Sequence, residues 1–118
     1  MAQVVALVDD LFFQAKMAEA AKQLGIAFAA CSTADTFVAQ ILKGAVKLAL
    51  VDLNARDHPL AAIERLQEMK SPVPLVAFLS HVQQELAERA RAAGCREVMP
   101  RSKFTRDLAT ILGRTKSE

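Results

Sequence analysis

Apolar residues in this chain alternate between short unbroken runs and longer stretches in which they recur every three or four positions. The runs lie at residues 3–8, 26–31, 48–53, 73–79 and, more weakly, 96–99. They read as strands, the most apolar of them buried on both faces. The stretches between them read as helices. Phe13, Met17, Ala20, Ala21 and Leu24 form one buried stripe, while Gln14, Lys16, Glu19 and Lys22 face water. Ala34, Phe37, Val38 and Ile41 form a second stripe, and Leu60, Ile63, Leu66 and Met69 a third. Leu86, Ala90 and Ala93 mark a fourth helix, with Glu85 and Arg89 placed for an i,i+4 ion pair, and Leu108, Ile111 and Leu112 mark a fifth. Ser32 or Thr33 is expected to cap the second helix and Thr105 the last, with Pro59 at the first position of the third. Gly25, Gly44, Gly94 and Gly113 each follow a helical stretch, where glycine ends a helix by turning left-handed. The third helix is expected to stop at Ser71-Pro72 instead.

Strict alternation of strand and helix predicts parallel strands with helices on both faces, a three-layer α/β/α domain. The most apolar strands, one, three and four, belong in the centre. Strands two and five belong at the edges, the fifth because it carries Arg96 and Glu97. That is the order 2-1-3-4-5 of the flavodoxin-like (βα)5 fold, whose winding reverses between strands one and three. Ligands of open α/β sheets bind at that reversal, beyond the carboxyl ends of the strands.

The 118 residues suffice for one domain, spanning 1–118, and not for two with proper cores. Hydrophobic residues at 53% and charged residues at 24% argue against disorder. No apolar run is long enough to cross a bilayer and no basic leader precedes the first strand, so a cytoplasmic protein is expected. Cys31 and Cys95 have no metal-ligand or redox spacing and read as buried small residues. A net charge of +2 gives little reason to expect direct nucleic-acid binding. Arg101, Lys103, Arg106, Arg114 and Lys116 thicken the C-terminal end, and a solvated face accounts for them.

Two of the most apolar runs end in carboxylates: the first in Asp9-Asp10, the third in Asp52. On adjacent central strands these three acids meet at the reversal. A pair of carboxylates 4 Å apart repel by about 4 kcal/mol at an effective dielectric of 20, so a cation must compensate. Mg²⁺ suits carboxylates, a carbonyl and retained waters, and a carboxylate beside it can accept a phosphoryl group. The plainer reading is that Asp9 or Asp10 caps a helix and Asp52 ends a strand. Two adjacent acids on one strand and a third on its neighbour favour a functional site.

Val8-Asp9-Asp10, Val51-Asp52-Leu53-Asn54, and the sequence from Pro74 through Ala92-Ala93-Gly94 to Arg101-Ser102-Lys103-Phe104-Thr105 resemble the receiver domain of two-component response regulators over essentially the whole chain. The resemblance implies Asp52 as phosphoacceptor, Asp9 and Asp10 as the acid pair around Mg²⁺, and Asn54 as a carbonyl ligand. It also implies a histidine kinase as donor and a downstream protein, or a second copy of the chain, docking on the surface of the fourth and fifth helices.

The chain departs from that pattern on the relay side of the pocket. Leu79 stands where receivers carry a Thr or Ser hydroxyl, with Ser80 one residue later. Arg101 stands at the lysine position, with Lys103 displaced by two, and Val98 stands at the switching aromatic. Leu79 cannot donate a hydrogen bond, and a guanidinium fork does not replace a compact ammonium. Lys103 or Ser80 would substitute if the loops shift. Arg56, in the unusual loop Ala55-Arg56-Asp57-His58, could fold back onto the acids. His58 and His81 read as exposed loop residues.

The leading expectation is a receiver phosphorylated on Asp52. The alternative is a pseudo-receiver, an interaction module that keeps the fold without cycling. No enzymatic turnover is expected: no GxGxxG or GxxxxGK sequence is present, the acidic first loop would repel a flavin phosphate, and a phosphatase would need an acid where Asn54 stands.

Overall fold

The computed structural model describes residues 2–80 and 83–116. Its strands are β1 (Val4–Leu7), β2 (Phe28–Cys31), β3 (Leu48–Asp52), β4 (Leu75–Leu79) and β5 (Glu97–Pro100). Its helices are α1 (Leu11–Leu24), α2 (Ala34–Leu42), α3 (Pro59–Glu68), α4 (Gln84–Ala92), α5 (Arg101–Arg106) and α6 (Leu108–Gly113), followed by a 3-10 turn at Arg114–Lys116. All strand pairings are parallel and the order is β2-β1-β3-β4-β5, the flavodoxin-like (βα)5 arrangement. Among the described residues no helix is long and apolar enough to cross a membrane.

β1, β3 and β4 are buried at every position, which is why their sequences run apolar without alternation. The alternation survives only as a division between two cores. Val5, Leu7, Ala49, Val51, Leu75, Ala77 and Leu79 pack with residues of α2, α3 and α4 on one face. Val4, Ala6, Leu48, Leu50, Val76 and Phe78 pack with α1, α5 and α6 on the other. The edge strands are less covered: Ala30 of β2 is exposed, and Glu97 and Val98 of β5 are half-buried.

Local chemistry sets both ends of α1 and the start of α2. Asp10 caps α1 by accepting from the Phe12 and Phe13 amides, and Thr33 caps α2 through the Thr36 amide. Gly25, at φ 71°, closes α1 in the left-handed conformation that its missing Cβ permits.

Four expectations need correction. Gly113 ends α6 without a left-handed φ, and the chain runs directly on into the 3-10 turn. Thr105 caps nothing, because the helix starts four residues earlier, directly after Pro100. A proline fixes its own φ, here −62°, and Asp107, at φ −100° and ψ 12°, then divides the segment into α5 and α6. α3 ends at Glu68, before Ser71-Pro72, because Lys70 turns left-handed at φ 56° and leaves Met69 half exposed. Glu85 and Arg89 form no ion pair. Both are exposed, and such a pair offers little to offset the ordering of two long side chains.

Candidate functional site

Leu7 pairs with Val51 and Asp52 with Phe78, so β1 and β3 release their acids at the same end of the sheet. Asp52 is only 2% exposed. Its Oδ1 accepts from the Asn54 amide at 2.9 Å and its Oδ2 from Arg101 Nη2 at 3.1 Å. The other arm of the guanidinium, Nη1, lies 3.5 Å from Asp10 Oδ2, while Asp10 Oδ1 is engaged as the α1 cap at 3.0 and 3.2 Å. Asp9 accepts from the Arg56 amide at 2.8 Å. It is therefore the backbone of Arg56 that turns toward the acids.

Arg101 is held in this position by aromatic rings. Its Cζ sits 4.5 Å from the centroid of Phe13 and 5.8 Å from that of Phe78, within cation–π range of both. Phe78 stacks on Phe104 at 4.2 Å and meets Phe13 edge-on at 5.3 Å, so α1, β4 and α5 each contribute a ring to one cluster under the guanidinium. Arg101 Nε is buried and has no acceptor, so the fork spends its hydrogen bonds on the two carboxylates.

Asn54 crosses the mouth of the crevice. Its Oδ1 accepts from the Ser80 amide at 2.6 Å and hydroxyl at 2.9 Å, and its Nδ2 donates to Gln83 Oε1 at 2.9 Å. Ser80 is thus committed to Asn54. Lys103 is not brought to the acids: its Nζ pairs with Asp107 at 3.0 Å on the outer side of α5. Leu79 is buried in β4 and presents no donor. Val98 is half-buried and, with Leu79, Ala87 and Met99, lines a hollow of about 210 Å³ beside α4. His58 is exposed and supplies no side-chain cap to α3, and His81 lies outside the described residues.

Arg101 joins Asp10 and Asp52, with the Asp9 charge felt at Asp52, so the site supplies its compensating charge from within. Both oxygens of Asp10 and both of Asp52 are occupied by protein donors. Among the described residues no group of three His, Cys, Asp or Glu side chains is arranged to hold a metal ion. The Mg²⁺ that the receiver resemblance implies does not fit these residues while Arg101 bridges them.

Burial pushes the Asp52 carboxyl above its ordinary 3.8. The Asn54 amide and Arg101 oppose that shift, and the nearby Asp9 charge adds to it. Asp10 is held below the ordinary value, chiefly by the Phe13 amide, with Arg101 assisting. A carboxyl whose folded value is raised binds its proton more readily in the folded chain, so its contribution to stability falls as pH rises through that value. Asp10 has the opposite sign, and its contribution is lost as pH falls through its lowered value. Urea titrations of the wild type and Asp52→Asn should therefore diverge just above pH 3.8, with the wild type losing stability relative to the variant as pH rises. A difference that stays flat from about pH 4 to 7 would mean that Asp52 carries no net burial cost.

The sequence named Ser80 as a candidate and Asp57 as part of an unusual loop, but not their partners, and it carried no signal for Gln83. Gln83 and Ser80 reach Asn54 across two loops. Asp57 accepts from the Ala34 amide at 2.7 Å and so ties the loop after β3 to the start of α2.

No family model and no curated protein matches the chain. Solved structures resemble it in fold. NtrX from Brucella abortus, solved in complex with ADP, matches 98% of this chain at 20% identity with a TM-score of 0.80, and the chain spans 26% of that protein's length. FixJ-N matches all of the chain over 95% of its own, at 17% identity and a TM-score of 0.83. A CheY-like response regulator receiver domain protein from Methanospirillum hungatei JF-1 matches 99% of this chain and 98% of its own, at 13% identity and a TM-score of 0.80. Under its arginine-bridged acids, the chain has the fold of a response-regulator receiver domain.

Proposed function

We propose that this chain is a receiver-type interaction module whose conformation is set by the Arg101 bridge and does not cycle through phosphorylation of Asp52. The bridge from Arg101 to Asp10 and Asp52 carries the reading. A phosphoryl group arriving on Asp52 Oδ2 would have to displace a guanidinium stacked on Phe13. Leu79, next to the crevice, offers no hydroxyl to receive the new oxygens, and Ser80 is committed to Asn54. Output then comes from a protein partner docking on the α4, β5 and α5 surface, and no turnover is involved.

A second reading has its own support. Arg101 lies between Asp10 and Asp52, with the Asp9 charge felt at Asp52, and these are the acids that a phosphoacceptor at Asp52 with Mg²⁺ and a kinase donor would use once Arg101 swung aside. Acetyl phosphate or beryllofluoride with Mg²⁺ separates the two. The interaction module should gain no phosphoryl mass and should show no shift of the Asn54 and Ser80 amides. A stoichiometric mass gain in the wild type that is lost in Asp52→Asn would replace the first reading with the second.

A further inference from the structure

The end of the sheet opposite the acids holds a cavity with different chemistry. β3 enters through Val46 and Lys47, β4 through Pro72, Val73 and Pro74, and β5 follows Arg96. These segments and the turn at Arg114 and Thr115 line an open-sided hollow of about 530 Å³, within the range of small-molecule sites. The floor is apolar, made by Val46, Leu48, Val73 and Val76. Pro72 and Pro74 fix their own φ and bring no N–H, so this wall is apolar and held in shape before anything binds.

The rim is cationic. Lys47, Arg96 and Arg114 line the cavity, and among the described residues no carboxylate does. Arg114 is engaged with Glu97. Lys47 and Arg96 are exposed, and neither has a carboxylate within ion-pair distance among the described residues. An uncharged lipid tail would satisfy the floor and leave these cations unused, whereas inorganic phosphate would satisfy the cations and leave the floor wet. From this combination we infer that the cavity binds a small amphipathic monoanion, an aliphatic body with one carboxylate, its body on the valines and its head between Lys47 and Arg96. Arg96 supplies the planar fork that matches a carboxylate, and Lys47 supplies a point charge.

Decanoate is a suitable probe and decanol its neutral control. The chain has no Trp or Tyr, so amide NMR is the readout. Decanoate should shift the Val46, Val73 and Val76 amides saturably in the wild type and equally in Asp52→Asn, because the acid crevice lies at the other end of the strands. Decanol should bind at least roughly tenfold more weakly, and so should decanoate to the Lys47→Glu, Arg96→Glu double variant, since both changes remove charge-assisted hydrogen bonds. Both substituted positions are exposed, so a retained amide spectrum would show that the double variant still folds. Three results would overturn the inference: no saturable shift with decanoate, equal binding of decanol, or shifts at these amides that follow protein concentration and so report a second copy of the chain.

Discussion

Replacing Arg101 with alanine is expected to cost about 2–4 kcal/mol of stability near neutral pH without divalent ions, and to make stability depend on Mg²⁺ for the first time. The cost lies in what the substitution leaves behind. Asp52 stays buried, with the Asp9 charge nearby, and has lost the guanidinium that paired with it. Asp10 and Asp52 then face the space the guanidinium filled, and Mg²⁺ accepts one or two carboxylates while keeping its waters. At a free concentration one hundred times its dissociation constant, the ion would return about 2.7 kcal/mol. Urea denaturation with and without MgCl₂ measures this, and the wild-type midpoint should not move. Arg101→Lys should fall between the two, since an ammonium keeps the charge but cannot bridge both carboxylates as the fork does. A wild type stabilised by Mg²⁺ as strongly as the alanine variant would show that the guanidinium does not hold the metal position, and would favour phosphoryl chemistry at Asp52.

The strands and the convergence of the acids were legible because each depends on local order. An apolar run that stops at a carboxylate is visible in a handful of residues, and alternation of strand and helix then leaves few arrangements. The occupant of the crevice was not legible in that way. The place of Arg101 depends on Phe13, Phe78 and Phe104, which come from three elements and share no sequence period. The choice between Arg101 and Lys103 turned on where the last helical segment begins. Residues advance about 100° each around a helix, so Arg101 and Phe104 share a face while Lys103 points nearly opposite. A helix beginning after Pro100 settles which cation turns inward, whereas one expected to begin at Thr105 leaves both in a loop. The loop after β3 hid its role for a similar reason. Asp57 and the backbone of Arg56 act on partners 23 and 47 residues away.

Phe78→Ala should produce the largest loss of any single substitution near the site, about 3–5 kcal/mol, because a fully buried ring leaves a cavity that its neighbours can only partly fill. Part of that loss belongs to the crevice and not to the core. With Phe78 gone, Phe104 loses its stacking partner, Phe13 loses its edge contact, and the surface beneath the guanidinium loosens. A double-mutant cycle between Phe78→Ala and Arg101→Met, followed by urea denaturation, should show a coupling of about 0.5–1 kcal/mol, the range expected for a guanidinium near an aromatic face. Phe12→Ala supplies the contrast: that ring, one residue before Phe13, is 91% exposed, and its removal should stay within about 0.5 kcal/mol. Additive losses at Phe78 and Arg101 would mean that the rings support the sheet alone and that the two carboxylates suffice to place the arginine. Coupled losses would make the aromatic cluster the device that keeps a cation over Asp52, which ties the state of the acid crevice to the packing of α1 and α5 against β4.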